Sequence, residues 1–560
     1  MKKRPVVFLI VILLGLRPGS IQRVAVAQSR PSDAEILTIL QQRIDQYKKS
    51  VGIVVGVINQ DGSRVISYGR LSQESDRKPD GDTVFEVGSI TKVFTAILLA
   101  DMVERGEVKL DDPISKFLPQ SVKVPTRNGK EITLRDLATH TSGLPRLPSN
   151  FAPKDANNPY ADYTVEQMYA FLSNYTLSRD IGVKYEYSNY GAGLLGHILA
   201  LKAGMDYETL VKTRICDPLT MRSTRIQLPP DLRARLATGH DGDLKVAANW
   251  DIPTLAGAGA LRSTVNDLLK FLAANLGLTK TALFPALEKT HLAQQNAGAP
   301  GVEVGLGWHI YNKHGAQIVW HNGGTGGYHS FIGFDKKKRL GVAVLSNSIN
   351  NIDDIGLHLL ESTYPLYKER VPIKVDPKIL DAYVGVYQLN ADTFVTVTKI
   401  TDRLFLQPTG GLKREIRPES ETDFFIQGAN VHLSFVKDAA GKVTHMVLYQ
   451  SDGTKQSAPK TDKPAPEERK AITLDPKVYD AYVGQYELAP GLIFTIGKEE
   501  NRLMAQLTGQ PKFELFPESE TKFFYIVVDA QITFVKDEAG KVTHLILHQF
   551  GLNQPAKKIK

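Results

Sequence analysis

The stretch Phe85–Gly106, FEVGSITKVFTAILLADMVERG, decides the fold, and the rest of the chain is arranged around it. A β-like run, Thr83–Val87, ends at Gly88, and a helix is predicted to begin at or next to Ser89. Its apolar side chains recur at helical spacing: Ile90, Val93, Phe94, Ile97 and Leu98. Gly106 supplies the stop signal. One face of this helix is therefore expected to be buried.

Ser89 and Lys92 are three residues apart in the first turn of this helix, so their side chains share a face. The hydroxyl also lies at the positive end of the helix, where backbone N–H groups lack intrahelical partners. A serine nucleophile needs a proton acceptor beside it and N–H donors for a developing oxyanion. The pair therefore predicts acyl-transfer chemistry. A helix-capping serine followed by a solvated lysine is the structural alternative.

The pattern S-x-x-K occurs five times, beginning at Ser75, Ser89, Ser434, Ser457 and Ser519. The first match lies in a charged loop, the fourth in a Pro/Lys-rich linker and the last in a polar turn. Ser434 lies in a predicted strand, where residues i and i+3 point to opposite faces. Only Ser89 follows a glycine and opens an apolar helix, so it is the candidate nucleophile.

Length and composition narrow the function classes. A chain of 560 residues predicts three or four domains. The net charge of +8 is spread without long Lys/Arg blocks, which does not favour nucleic-acid binding. Cys216 is the single cysteine and is interpreted as a buried thiol. The chain has no H-E-x-x-H, P-loop or G-x-S-x-G motif, and we expect no metal and no cofactor.

The N-terminus has the pattern of a secretory signal peptide. Lys2, Lys3 and Arg4 precede the apolar run Val6–Leu16, and the small residues Ala25–Ala27 form a cleavage site. The predicted signal peptide is 1–27, the mature chain starts near Gln28, and the sequence has no lipobox. We therefore expect a secreted or periplasmic protein without a membrane span in its mature part.

Residues 28–370 are predicted to form one α+β unit. Ser32 and Glu35 predict a capping box, and Asp61-Gly62 marks a β-hairpin. Residues 304–348 have strand character, and an amphipathic helix is predicted near Ile352–Lys368. With strands at both ends and helices between them, the sheet should join the N- and C-terminal segments.

A tandem repeat with an offset of 99 residues follows. DPKILDAYVGVY (Asp376–Tyr387) recurs as DPKVYDAYVGQY (Asp475–Tyr486). Short alternating runs separated by Gly, Asp and Pro predict two small all-β domains. Their predicted limits are 371–450 and 475–560, with a polar linker over 451–474.

Three motifs occur in order: Ser89-x-x-Lys92, Tyr187-Ser188-Asn189 and His321-Asn322-Gly323. This order, with the segments FEVGSITK and LRDLATHTSGLP, resembles the serine β-lactamase/DD-peptidase superfamily over about residues 33–365. The similar branch contains class C β-lactamases, DD-carboxypeptidases, D-aminopeptidases and related esterases. The resemblance implies an antiparallel sheet flanked by helices, with a helical subdomain. The DAYVG-Y starts of the repeats resemble small lipocalin-like domains appended to some of these peptidases.

The resemblance also implies a role for each motif residue. Ser89 would be the nucleophile, Lys92 its proton partner and Tyr187 a second group in general-base work. Asn189 would orient Lys92 and the substrate amide. The oxyanion hole would be formed by the N–H groups of Ser89 and Gly324, and His321, Gly323 and Gly324 would bind substrate.

His321 stands where class C β-lactamases usually carry lysine, and Thr91 where their signature has Ser or Ala. Both departures favour peptidase-type chemistry over β-lactam hydrolysis. D-amino-acid peptides, esters and β-lactams all fit one acyl-enzyme mechanism, so the substrate and the oligomeric state stay open. A different class is a catalytically retired sensor that binds an amphiphile or a β-lactam.

Overall fold

A computed structural model describes most of the chain. The described residues are 31–298, 301–313, 315–390, 393–400, 403–409, 413–426, 431–450, 454–464, 471–489, 492–508, 512–528, 530–549 and 552–560. The signal-peptide prediction, residues 1–27, lies outside them. Within these ranges no helix is long and apolar enough to cross a membrane.

The described α-helices are α1 (Asp33–Gln41), α2 (Thr91–Glu104), α3 (Leu134–Ala138), α4 (Val165–Asn174), α5 (Asn189–Ala203), α6 (Tyr207–Val211), α7 (Pro230–Arg233), α8 (Ala256–Gly259), α9 (Val265–Asn275), α10 (Phe284–Thr290), α11 (Asp353–Leu360) and α12 (Pro377–Leu380). Short 3₁₀ turns cover Gly88–Ile90, Ile114–Lys116, Asp381–Tyr383 and Pro476–Ala481, and π-type turns cover Gln42–Gln46 and Lys212–Cys216. The predicted capping box of Ser32 and Glu35 starts α1.

The strands of the N-terminal unit are β1 (Gly52–Asn59), β2 (Gly62–Gly69), β3 (Phe85–Glu86), β4 (Thr126–Arg127), β5 (Lys130–Glu131), β6 (Arg262–Ser263), β7 (Gln295–Asn296), β8 (Val302–Val304), β9 (His309–Lys313), β10 (Ala316–Gly324), β11 (His329–Asp335) and β12 (Leu340–Ser346). In the described residues the large sheet has the order β2-β1-β12-β11-β10-β9-β8-β7. Strand β1 pairs antiparallel with β2 and with β12, so the sheet joins the two ends of the unit as predicted.

Both faces of the central strands are covered, because successive side chains point to opposite sides. Val54 and Leu345 belong to the core shared with α2 and α9. Val55 and Val344 belong to a second core beneath α1 and α11. β1 is therefore buried along its whole length.

The central helix is more deeply buried than an amphipathic pattern predicts. Twelve of the 14 residues of α2, from Thr91 to Met102, are buried. The helix contacts α5, α8 and α10 on several sides, so it has no solvent face over this span. Lys92 and Asp101 are consequently buried together with the apolar side chains.

The first repeat contains β13 (Gly385–Gln388), β14 (Phe394–Ile400), β15 (Arg403–Pro408), β16 (Arg414–Pro418), β17 (Asp423–Phe425), β18 (His432–Lys437), β19 (Val443–Tyr449) and β20 (Lys455–Pro459). The second contains β21 (Gly484–Ala489), β22 (Leu492–Glu499), β23 (Arg502–Leu507), β24 (Phe513–Pro517), β25 (Lys522–Phe524), β26 (Ala530–Lys536), β27 (Val542–Gln549) and β28 (Leu552–Lys558). The strands of each repeat pair in chain order, and the second sheet closes into a barrel. The prediction of two small all-β domains is confirmed.

Aromatic rings occupy the interior of each repeat at equivalent positions. Tyr383 stacks on Phe435 with ring centroids 4.3 Å apart, and Tyr482 stacks on Phe534 at the same distance. All four rings are buried. Since each pair is separated from its counterpart by the 99-residue offset, the sequence repeat reproduces the same packing.

The structure differs from the sequence prediction at two element boundaries. α11 ends at Leu360, well before Lys368, because Glu361 has extended backbone and Pro365 disfavours helix in the residue before it. Strand β20 (Lys455–Pro459) lies in the segment predicted as linker. Ala458 is buried while Lys455, Ser457 and Pro459 are exposed, so no apolar run marks this strand in the sequence.

Candidate active site

Ser89 lies in a 3₁₀ turn, Gly88–Ile90, that leads into α2. Its position depends on two glycines that let strand β10 approach the turn. A Cβ on Gly323 would lie 2.0 Å from the carbonyl oxygen of Val87. A Cβ on Gly88, whose φ is +49°, would lie 2.8 Å from the nitrogen of Gly324. The backbone of Gly324 is thereby held beside the turn that carries Ser89.

Lys92 is buried directly behind Ser89. Its Nζ donates to the Ser89 Oγ at 2.8 Å and to the carbonyl oxygen of Ala258, in α8, at 2.6 Å. Burial, together with the positive charge of Arg146, holds the pKa of Lys92 well below its usual range. The neutral amine is therefore favoured, which is the form that accepts a proton from a serine hydroxyl.

Tyr187 completes this group. Its ring centroid lies 4.8 Å from the Nζ of Lys92. Burial raises the pKa of its hydroxyl, and a side-chain hydrogen bond with Ser89 acts in the opposite direction. Because burial dominates, the protonated phenol is the stable form at neutral pH. Ser89, Lys92 and Tyr187 are thus brought together from two distant parts of the chain.

Asn189 is the first residue of α5, and Ser188 is the cap of that helix, because the Ser188 Oγ accepts from the N–H of Gly191. The Asn189 Nδ2 donates to the hydroxyl of Tyr160 at 3.3 Å. Its Oδ1 is buried and has no hydrogen-bond partner among the residues that the structure describes. Lys92 is held by Ser89 and the carbonyl of Ala258, so the orienting role of Asn189 stays a prediction.

His321 lies on β10 and is buried beside the cluster. Its Nδ1 lies 2.5 Å from the carbonyl oxygen of Asn322. Burial and neighbouring positive groups hold the pKa of His321 well below its usual range, so the neutral imidazole is favoured. The imidazole ring centroid is 6.2 Å from that of Tyr187, so His321 on β10 lies next to the loop that carries Tyr187.

Two further histidines surround Tyr187. The ring of His140 lies 4.5 Å from that of Tyr187, and its Nδ1 accepts the N–H of Ser188 at 3.1 Å. The ring of His309, on β9, is stacked on that of Tyr187, and its Nε2 forms a hydrogen bond of 3.0 Å with the hydroxyl of Tyr185. Burial lowers the pKa of His309 to about 4 and that of His140 well below its usual range. His140 lies in the quoted LRDLATHTSGLP segment, so that segment offered a signal, whereas nothing in the sequence marks His309.

Arg146 also borders this cluster, and no sequence motif marks it. Its carbonyl accepts the N–H groups of Asn189 and Tyr190, and its guanidinium carbon lies 5.2 Å from the ring centroid of Tyr187. Nearby, Tyr160 and Trp250 form an aromatic wall with ring centroids 5.4 Å apart. The cleft in front of the Ser89 turn is lined by that wall and by Asn189, Ile252, Ala258, Gly259, Gly324 and Thr325.

A family model described as beta-lactamase matches residues 40–356, which is more than half of the chain. The chain belongs to the beta-lactamase family. It is a serine hydrolase of the class C-like type, and its antiparallel sheet with flanking helices is the fold that the sequence predicts. The two repeats match, over residues 369–460 and 468–558, a family described as a domain of unknown function (DUF3471).

The relatives include peptidases and β-lactamases. The D-alanyl-D-alanine-carboxypeptidase/endopeptidase AmpH of Escherichia coli K12 is 31% identical over 312 residues, covering 53% of this chain and 79% of that protein. Penicillin-binding protein 4* of Bacillus subtilis is 28% identical over 432 residues, covering 70% and 91%. The crystal structure of a class C beta-lactamase from Rhodobacter sphaeroides is 26% identical with a TM-score of 0.52, covering 59% and 99%.

Proposed function

We propose that the protein hydrolyses peptides through an acyl-enzyme on Ser89. The observation that carries this proposal is the 2.8 Å contact between the Ser89 Oγ and a buried lysine amine whose pKa is held low. The Oγ attacks the scissile carbonyl carbon and its proton passes to Lys92. The N–H groups of Ser89 and Gly324 stabilise the oxyanion that forms.

Tyr187 then serves as the proton relay to the leaving group. Its hydroxyl stays protonated because of burial, and it lies beside both Ser89 and the lysine. When the tetrahedral intermediate collapses, Tyr187 gives a proton to the departing amine and recovers one from Lys92. Water then attacks the carbonyl carbon of the acyl-enzyme and the same pair takes up its proton. When the bond between that carbon and the Ser89 Oγ breaks, the pair returns the proton to the Oγ and the acid product leaves.

We propose peptides that end in D-amino acids as the substrate class. His321 occupies the position where the class C enzymes usually carry lysine, and the neutral imidazole favoured by burial supplies no permanent charge there. A relative that is 31% identical is named a D-alanyl-D-alanine-carboxypeptidase/endopeptidase, which supports this choice. Ester and β-lactam hydrolysis are the alternatives, because the same acyl-enzyme serves all three.

The retired-sensor alternative receives less support. It would use the β repeats as the binding module, yet buried aromatic rings occupy their interiors. The buried amine beside Ser89 would also have no use in a protein that binds its ligand without forming a covalent bond.

A substrate panel tests the proposal: a D-Ala-D-Ala peptide, a D-aminoacyl anilide, nitrocefin and 4-nitrophenyl butyrate. We expect turnover of the peptide, slow turnover of nitrocefin, and a loss of about 10³-fold or more in Ser89→Ala. Ser457→Ala is the matched control, because it changes another S-x-x-K serine that is exposed on β20. Nitrocefin turnover at the rate of a dedicated β-lactamase would refute the peptide assignment. Stable acylation of Ser89 by penicillin without turnover of any substrate would favour the sensor.

We also propose an extracytoplasmic location, based on the N-terminal signal pattern. N-terminal sequencing of the protein from a periplasmic or culture-medium fraction should show a mature chain that begins near Gln28.

A further inference from the structure

Arg146 lies at the mouth of the candidate active site, and its side chain is exposed. Its guanidinium carbon and the Nζ of Lys92 lie 5.2 and 4.8 Å from the ring centroid of Tyr187, so they are at most about 10 Å apart. Its carbonyl accepts the first N–H groups of α5, which fixes the backbone of the residue against Asn189. The guanidinium is therefore accessible to a bound substrate, and the backbone that carries it is fixed beside the reacting groups.

The charge of Arg146 is not neutralised within the described parts of the chain, where neither a hydrogen bond nor an ion pair engages its guanidinium. Two carboxylates near the pocket each have another cation: Glu186 pairs with Arg179 at 2.5 Å, and Asp251 lies 3.5 Å from Arg262. The three histidines around Tyr187 favour their neutral forms. The pocket mouth thus keeps a permanent positive charge.

This charge helps to lower the pKa of Lys92, and it is otherwise available to pair with an anionic ligand. Arg146 acts on the buried Lys92 as a like charge and lowers its pKa. An exposed cation stacked on a tyrosine ring gains only about 0.5–1 kcal/mol, which is a weak structural reason for placing it there. A guanidinium binds a carboxylate through two parallel hydrogen bonds, which are among the stronger interactions available to a side chain.

The position of Arg146 indicates which part of the substrate it meets. Tyr187, as the proposed proton donor, must face the leaving group, and the ring of His321, on β10, lies 6.2 Å from it. The guanidinium of Arg146 lies over the ring of Tyr187, while its backbone carbonyl holds the N–H of Asn189 and its charge acts on the hydroxyl of Tyr160, the partner of the Asn189 amide. The buried Oδ1 of Asn189 has no hydrogen-bond partner among the described residues and suits a substrate N–H, so Arg146 also reaches the side where the acyl portion would lie. We propose that Arg146 is a specificity-determining residue that binds a carboxylate on the acyl portion of the substrate. This inference rests on the acyl-enzyme function proposed above.

Three esters of equal acyl length test the inference. They are 4-nitrophenyl hexanoate, which is neutral; the 4-nitrophenyl monoester of adipic acid, with a carboxylate on the acyl chain; and the hexanoyl ester of 4-hydroxybenzoate, with a carboxylate on the leaving group. The variants are Arg146→Gln, Arg146→Lys and the control Lys202→Gln. Lys202 is an exposed cation in the last turn of α5, about 20 Å along that helix from Asn189, and its change alters net charge equally.

At a pH above the acid limb of both proteins, we expect Arg146→Gln to lower kcat/KM for the adipate ester about 10- to 100-fold, and the hexanoate value by less than about 3-fold. Arg146→Lys should recover part of the loss, and Lys202→Gln should change neither value. An equal loss on the adipate and hexanoate esters would overturn the inference, as would a loss confined to the 4-hydroxybenzoate ester. A wild-type protein that turns over none of the esters, and is acylated by none, would instead refute the acyl-enzyme proposal.

Discussion

Lys92 and Tyr187 are expected to act as one proton-transfer unit, and a double-mutant cycle measures this directly. The variants are Lys92→Met, Tyr187→Phe and the double variant. Each single change removes one partner from a group in which the lysine amine is 2.8 Å from the Ser89 Oγ and 4.8 Å from the tyrosine ring. Loss of one general acid–base group costs about 10²–10⁴-fold in rate. Independent groups would therefore give about 10⁴–10⁸-fold in the double variant.

We expect the double variant to fall within about tenfold of the more damaging single variant, because neither group can complete the transfer alone. The assay is kcat/KM for 4-nitrophenyl butyrate, with active sites counted from the burst of nitrophenol. Methionine keeps most of the volume of Lys92 but leaves the buried carbonyl of Ala258 without its donor, at a cost of about 1–3 kcal/mol. Thermal melts must therefore show that each variant is folded. Losses that multiply would refute the single-unit mechanism.

Three other predictions concern charge, packing and domains. In the wild-type protein, the acid limb of the pH profile of kcat/KM should report the lowered pKa of Lys92. Arg146→Gln removes a cation that lowers this pKa, so the acid limb should move to higher pH. An unmoved limb would contradict the electrostatic argument. Gly323→Ala places a Cβ 2.0 Å from the carbonyl oxygen of Val87. Calorimetry should therefore show that the variant is destabilised by at least about 1–3 kcal/mol, and its acylation by penicillin should be slower. Wild-type stability and acylation would contradict the packing argument. A chain that stops after Arg370 should remain folded and acylable by a small probe, with larger changes on large substrates; a folded but inert truncated protein would show that the repeats complete the site.

The sequence predicted the parts of the site that are local along the chain. Ser89 and Lys92 share a helix turn, and helical spacing alone places their side chains on one face. Tyr187 and His321 are predicted only from the order of the three motifs and from the family resemblance, because no spacing rule connects them to Ser89. The structure shows that the rings of Tyr187 and His321 lie 6.2 Å apart.

His309 and Arg146 were missed for a physical reason. His309 reaches the cluster because β9 pairs with β10 in a register that sets it opposite Trp320, and such a register is not readable from one sequence. Arg146 lies in a loop held by the start of α5, where a lone arginine has no pattern to mark it. The burial of α2 on every side was also missed, because an apolar stripe shows one buried face and not what covers the others.

Covalent labelling tests the central claim, that Ser89 carries the acyl group, most directly. The full-length protein is mixed with benzylpenicillin, quenched and measured by intact-mass spectrometry, and the adduct is then located by peptide mapping. We expect a single addition on the peptide that contains Ser89, no addition in Ser89→Ala, and normal addition in Ser457→Ala. An adduct that maps to another residue, or full esterase activity in a Ser89→Ala protein, would contradict the mechanism.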